Sequence, residues 1–134
     1  MGVIFDTSVL IALERGALDP DRLVHGREQE PFGISVISAA ELLHGVHRAD
    51  TPKRRIKRAS YVEKVLEHYA LYPFDLGAAR IYADLWATLQ KKGVRIGAHD
   101  LMIAATAISL GWSVTTLDLR DYRRIEGLTL EAVG

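Results

Sequence analysis

Short, continuous apolar runs alternate along this chain with longer stretches in which apolar residues recur every three or four positions. The runs have strand length: Val3 to Phe5, Phe32 to Ile37 between Pro31 and Ser38, Leu71 to Phe74, Val114 to Thr116, and Leu128 to Leu130 as a fifth at an edge. Helical patterns lie between them. Residues 7–15 form one, closed by Gly16, and Ala39 to about Arg48 form another with Leu42, Leu43 and Val46 on one face. After the Thr51-Pro52 break, Val62, Val65, Leu66 and Tyr69 recur at i, i+3, i+4 and i+7. Ala78, Ile81, Tyr82, Leu85, Trp86 and Leu89 make a further stripe, ended by Gly93, and His99 to Leu110 is apolar on nearly every side, as a helix buried between layers must be. The stretch holding Asp19-Pro20-Asp21 and Gly26 reads as loop.

Strand and helix in turn predict βα units, hence a central parallel sheet of four or five strands with helices on both faces, a three-layer α/β/α sandwich. A chain of 134 residues suits a single domain spanning 1–134, large enough to bury roughly 65 to 70% of its unfolded surface. In open sheets of this kind ligands gather beyond the carboxyl ends of the strands, where the strand order reverses. Asp6 closes the first strand at that rim.

Composition narrows the chemistry. There is no cysteine, so a metal has to be held by oxygen or imidazole, and a reducing cytoplasm is the expected setting. No membrane span or signal peptide is indicated, and Met1-Gly2 is no myristoylation signal because residue 6 is Asp. Seventeen basic residues balance seventeen acidic ones, so net charge says nothing about nucleic acid. Distribution says more: Arg48, Lys53, Arg54, Arg55, Lys57 and Arg58 cluster against Asp50 alone, which fits either a phosphate-facing patch or a solvated helix start.

Asp6 has company at the rim. Glu41 follows the second strand in the first turn of its helix, Asp100 lies in the first turn of the buried helix, and Asp118 follows the fourth strand with Asp121 close behind. Each has a purely structural reading. Asp6 is a possible N-cap, Ser38-Ala39-Ala40-Glu41 matches a capping box, Asp100 suits a helix dipole, and Asp118 suits a turn. Together those readings weaken. Clustered carboxylates repel one another and take up protons unless a divalent cation neutralises them, and a hard, oxygen-loving ion such as Mg²⁺ or Mn²⁺ is the natural occupant.

The phrases "FDTSVLIAL", "SVISAAELLHGV", "GAHDLMIAATAISLG" and "VTTLDLRDYRRIEGL" occur in that order over nearly the whole chain. In them the sequence resembles the PIN domains, and within these the VapC-type toxins of bacterial and archaeal toxin–antitoxin pairs. The resemblance implies a compact α/β/α fold and metal-dependent endoribonuclease activity with Mg²⁺ or Mn²⁺. It places the family's acids on Asp6, Glu41 and Asp100, with the variable fourth on Asp118 and Asp121 as its substitute. It also gives Thr7, Ser8 and Thr116 the role of supporting the acids or contacting phosphate. It implies an RNA substrate, a homodimer, for which the stripe at 78–89 is one candidate face, and a VapB-like antitoxin whose C-terminal segment crosses the site and often offers it an arginine.

In that chemistry Asp6, Asp100 and Asp118 bind metal, Glu41 binds metal or orients the attacking water, and the products carry a 5′-phosphate and a 3′-hydroxyl. Arg123 and Arg124, together with Arg54 and Arg55, are the candidates for holding RNA phosphates. A histidine-driven ribonuclease would leave a 2′,3′-cyclic phosphate instead. Glu41, His44 and His47 form an E-x-x-H-x-x-H array that faintly suggests a metal site, while His99 is expected to point away from Asp100 in a structural role. The tyrosines 61, 69, 72, 82 and 122, with Trp86 and Trp112, fit core packing better than base stacking. Two other rim-acid classes fit poorly. A phosphotransfer receiver needs a lysine that "VTTLD" lacks, and a haloacid-dehalogenase-type phosphatase needs an acid where Ser8 stands. A non-catalytic RNA-binding or interaction module is the remaining alternative, and it has no need of all four acids.

Overall fold

The computed structural model describes residues 1–133. Five strands form one sheet: β1 (Val3–Phe5), β2 (Phe32–Ser35), β3 (Ala70–Tyr72), β4 (Ser113–Thr115) and β5 (Leu130–Glu131). Their spatial order is β3-β2-β1-β4-β5, and every neighbouring pair is parallel. The chain winds outward from β1 to β3 and then returns to the far side of β1, so the order reverses between β1 and β4. That reversal is where open sheets of this kind place their ligands, at the carboxyl ends of the strands.

Side chains alternate across the pleat and split the core into two layers. Ile4 and Val114 face a cluster with Leu89, Leu101, Ile103, Ala104, Tyr122 and Ile125. Val3 and Phe5 face the opposite cluster with Val9, Leu10, Ile34, Leu42, Val62 and Val65. Helices α5 (Leu76–Lys91) and α6 (Ala98–Leu110) cover the first face, while α1 (Thr7–Glu14), α3 (Val36–His47) and α4 (Pro52–His68) cover the second. The expected three-layer sandwich with a parallel sheet is the architecture observed.

Several boundaries differ from the sequence expectation, each for a local reason. The second strand stops at Ser35, because the Ser35 hydroxyl accepts from the Ile37 amide and starts α3 at Val36. The proposed capping box at Ser38–Glu41 therefore does not exist, and both residues lie inside the helix. The third strand ends at Tyr72 rather than Phe74, since Pro73 has no amide to donate to a ladder. Residues expected as loop contain α2 (Pro20–Val24), with Asp19 accepting from the Asp21 amide and proline in the first turn. The fourth strand ends before Thr116, and a single turn, α7 (Leu119–Tyr122), follows it. The edge strand lies at Leu130–Glu131 instead of Leu128–Leu130. Gly111 closes α6 at φ +71°, a conformation that costs a side-chain-bearing residue.

Candidate metal centre

Parallel register brings the ends of β1 and β4 side by side, with Phe5 paired to Thr115 and the Asp6 amide donating to the Thr115 carbonyl (2.9 Å). The residues that follow each strand therefore meet at this rim. Asp6 occupies the N-cap position of α1, yet its carboxylate makes no cap bond. It is buried and accepts three hydroxyls instead. Ser8 (2.7 Å) and Thr116 (2.8 Å) donate to Oδ2, and Tyr122 (2.9 Å) donates to Oδ1. Ser8 and Thr116 in turn accept the amides of Leu117 and Asp118 (3.1 and 2.9 Å). One buried acid thus fixes the loop that presents Asp118.

Glu41 reaches the rim from the second turn of α3. Its Oε1 accepts from Thr7 Oγ1 (2.8 Å), which also lies 2.8 Å from the buried Ser38 hydroxyl. The His99 side chain is 60% exposed and its Nδ1 stands 3.6 Å from Glu41 Oε2. Expected in a structural role pointing away from Asp100, His99 stands exposed beside Glu41.

Asp100 is brought in by α6, whose N-cap is Gly97 and whose first turn carries no side-chain cap. Oxygens of Asp100, Asp118 and Asp121 all lie within 4.8 Å of one another, the one His/Cys/Asp/Glu group of metal-binding geometry among the described residues. Burial pushes the Asp100 carboxyl up to about 6, with the charges of Asp6, Asp118, Glu41 and Asp121 adding to it. Five acids contributed by four separate stretches thus act on one another at one point. Asp118 and Asp121 both stand in the group, and Asp121 also pairs with Arg124 (3.1 Å). All three are oxygen donors at a half-buried site, so the residues present fit a hard divalent cation.

The remaining candidates fall elsewhere. His44 and His47 enter no such group with Glu41 among the described residues. Arg54 pairs with Asp50 (2.9 Å) and Arg55 donates to the Ala49 carbonyl (3.2 Å), both on the α4 side of the molecule. Arg124 is exposed but engaged with Asp121 and the Arg95 carbonyl, and Arg123 is exposed beside it. Tyr61 donates to the Leu10 carbonyl and Tyr69 packs edge-on against Phe5 and Phe32, while Tyr72 meets Trp112 in the same way. Two site residues carried no sequence signal of their own. By sequence Ser38 reads as a cap and Tyr122 as core, whereas the buried Tyr122 hydroxyl is bonded to an acid 116 positions earlier.

A parallel sheet whose reversal point gathers acids from the ends of β1 and β4 and from helix starts is the arrangement of a PIN domain, and the chain belongs to that family, whose pattern matches residues 3–128. It is similar in sequence to ribonuclease VapC1 of Rickettsia felis, at 40% identity over 134 residues covering the whole chain and 98% of that protein. It is similar in structure to a chain of VapBC2 from Rickettsia felis bound to a promoter DNA fragment, with a TM-score of 0.89, 25% identity and 98% of each chain covered. A chain of VapBC-5 from Mycobacterium tuberculosis, a member of the VapBC toxin–antitoxin systems, matches at a TM-score of 0.75 and 34% identity over 98% of this chain and 97% of that one.

Proposed function

We propose that this protein is a metal-dependent endoribonuclease, the toxin of a VapBC-type pair, which hydrolyses RNA phosphodiester bonds and so inhibits translation and growth. The observation that carries the reading is the convergence of Asp100, Asp118 and Asp121, whose oxygens lie within 4.8 Å of one another, with no ion pair to Asp100 among the described residues. Mg²⁺ or Mn²⁺ would be held by Asp100 and Asp118, with Asp121 completing the group and Asp6 in support. When bound, the ion supplies a Lewis acid for the phosphoryl oxygens and lowers the pKa of water.

The chain's own groups do the rest. Thr7 fixes one oxygen of Glu41, and the other, 3.6 Å from the exposed His99, is left to orient a water. Ser8, Thr116 and Tyr122 hold Asp6 so that it cannot swing away when the ion is lost. The partner this reading requires is a VapB-type antitoxin, and a homodimer fits the outer face of α5, where Leu76 and Trp86 stand 66% and 56% exposed. No helix among the described residues is long and apolar enough to cross a membrane.

Sequencing the 5′ ends of RNA after brief expression in a cell without antitoxin tests the proposal. It expects new 5′-phosphate ends at defined sites, abolished by Asp100→Asn. Ends bearing 5′-hydroxyls would assign the cleavage to a histidine mechanism, and growth arrest that survives Asp100→Asn without cleavage would assign a binding module.

A further inference from the structure

Two clefts run away from the acids on the α1–α3–α4 side. One, of about 630 Å³, has Thr7, Glu41 and His99 at one end and Arg15, Arg48 and Arg58 at the other. The second, of about 930 Å³, shares those three arginines and continues past Arg54, Lys57 and Lys64. Joined at the arginines, they make one groove that starts at the carboxylate rim and ends on the outer face of α4. Beyond Glu41 the groove holds six cations against Glu14 and Asp50. Those two acids are taken up by Arg58 (3.5 Å) and Arg54 (2.9 Å). Arg15, Arg48, Lys57 and Lys64 are exposed and make no ion pair among the described residues. The chain has no net charge, so this concentration is local and its field is directed.

We propose that this groove is the path of the RNA backbone, seating the phosphates on one side of the scissile bond; the inference rests on the ribonuclease reading above. A phosphodiester held at the acids has neighbours along the same strand, and these must leave past one flank. On the other flank the Arg124 guanidinium is engaged with Asp121 and the Arg95 carbonyl, and Arg123 stands exposed beside it but lines neither cleft. On the groove flank the unpaired cations are lined up for a polyanion. Past the arginines the wall also lacks a free aromatic plane: Tyr61, the aromatic residue of that stretch, is half-buried and bonded to Leu10, and His44 and His99 line only the cleft beside the acids. The groove therefore reads backbone charge and not base identity, so its binding is salt-dependent and indifferent to sequence.

The test uses the full chain in chelator, with a fluorescein-labelled oligouridylate followed by anisotropy across a salt series. Lys57→Ala/Lys64→Ala should weaken binding about tenfold at low salt and flatten the slope of log affinity against log salt by about 1.4, the value for two lost single-strand phosphate contacts. Lys91→Ala, on the exposed end of α5, should change neither, and an oligoadenylate should behave like the oligouridylate. In Mg²⁺, the preference of the double variant for long over short RNA should collapse toward one. Unchanged affinity and slope in the double variant, or an equal loss in Lys91→Ala, overturns the proposal. Loss of polyglutamate binding alone in the double variant also overturns it and assigns the groove to an acidic polypeptide. If the wild type binds as expected but cuts no RNA in Mg²⁺, the groove stands and the ribonuclease reading fails.

Discussion

Asp100 is the residue on which the chemistry turns, and its environment makes a signed prediction. Its carboxyl ionises near 3.8 in an unfolded chain and at about 6 in the folded one, so the native state holds this proton more tightly. The group therefore favours folding fully below about pH 4, loses that contribution as pH rises to about 6, and above that imposes a fixed penalty. Allowing for the solvent that still reaches it, the penalty is about 1 to 2 kcal/mol. In chelator at neutral pH, Asp100→Asn should be more stable than the wild type by that amount, with the difference vanishing near pH 4, while in Mg²⁺ its cleavage should fall by two orders of magnitude or more. Urea titrations at several pH values check the sign. Tyr122→Phe should behave oppositely, because it leaves a buried oxygen of Asp6 without its donor and costs about 1 to 3 kcal/mol, read as a lower urea midpoint. The four rim acids were legible in sequence because strand ends and helix starts mark positions. The Tyr122–Asp6 bond was not, since nothing local in the chain records a contact across 116 residues.

At the scale of elements, strands and long helices followed from periodicity, and the errors sit where side-chain hydrogen bonds decide an end. Ser35 and Ser38 both stand near the start of α3 and both are capping residues by type; the backbone bond to Ile37 selects Ser35 and frees Ser38 for Thr7. The one-turn α2 and α7 are too short for any hydrophobic period to show. Caps away from the site allow stability to be separated from function. Asp75 accepts from the Ala78 amide at the start of α5 (2.9 Å), on the cover of the sheet face remote from the groove. Asp75→Ala should cost about 1 kcal/mol, seen in thermal melts, with RNA cleavage at its wild-type rate below the melting range. The buried hydroxyl of Ser113 has no partner among the described residues, so Ser113→Ala should leave stability unchanged or slightly higher.

The whole molecule turns topology into a binding site. A reversal of winding somewhere in the sheet was implied by alternating strands and helices, but which strand adjoins β1 is a long-range choice that no window of sequence contains. Once made, it sets acids from distant stretches against one another, and the folded chain bears a repulsion that the unfolded chain does not. A cation bound there binds only the folded state, and stabilises it by about 2.7 kcal/mol at a hundredfold excess over its dissociation constant. For a domain of this size that is a rise of roughly 10 °C in the melting midpoint. Scanning calorimetry with Mn²⁺ or Mg²⁺ at neutral pH should show such a rise, shrinking as pH falls below about 6, because Asp100 then carries a proton that the ion must displace. Asp100→Asn should lose most of the rise at every pH, whereas Asp75→Ala should keep it in full from a lower starting point. An equal rise in Asp100→Asn would place the cation elsewhere, and no rise in the wild type would separate the convergence of these acids from metal binding altogether.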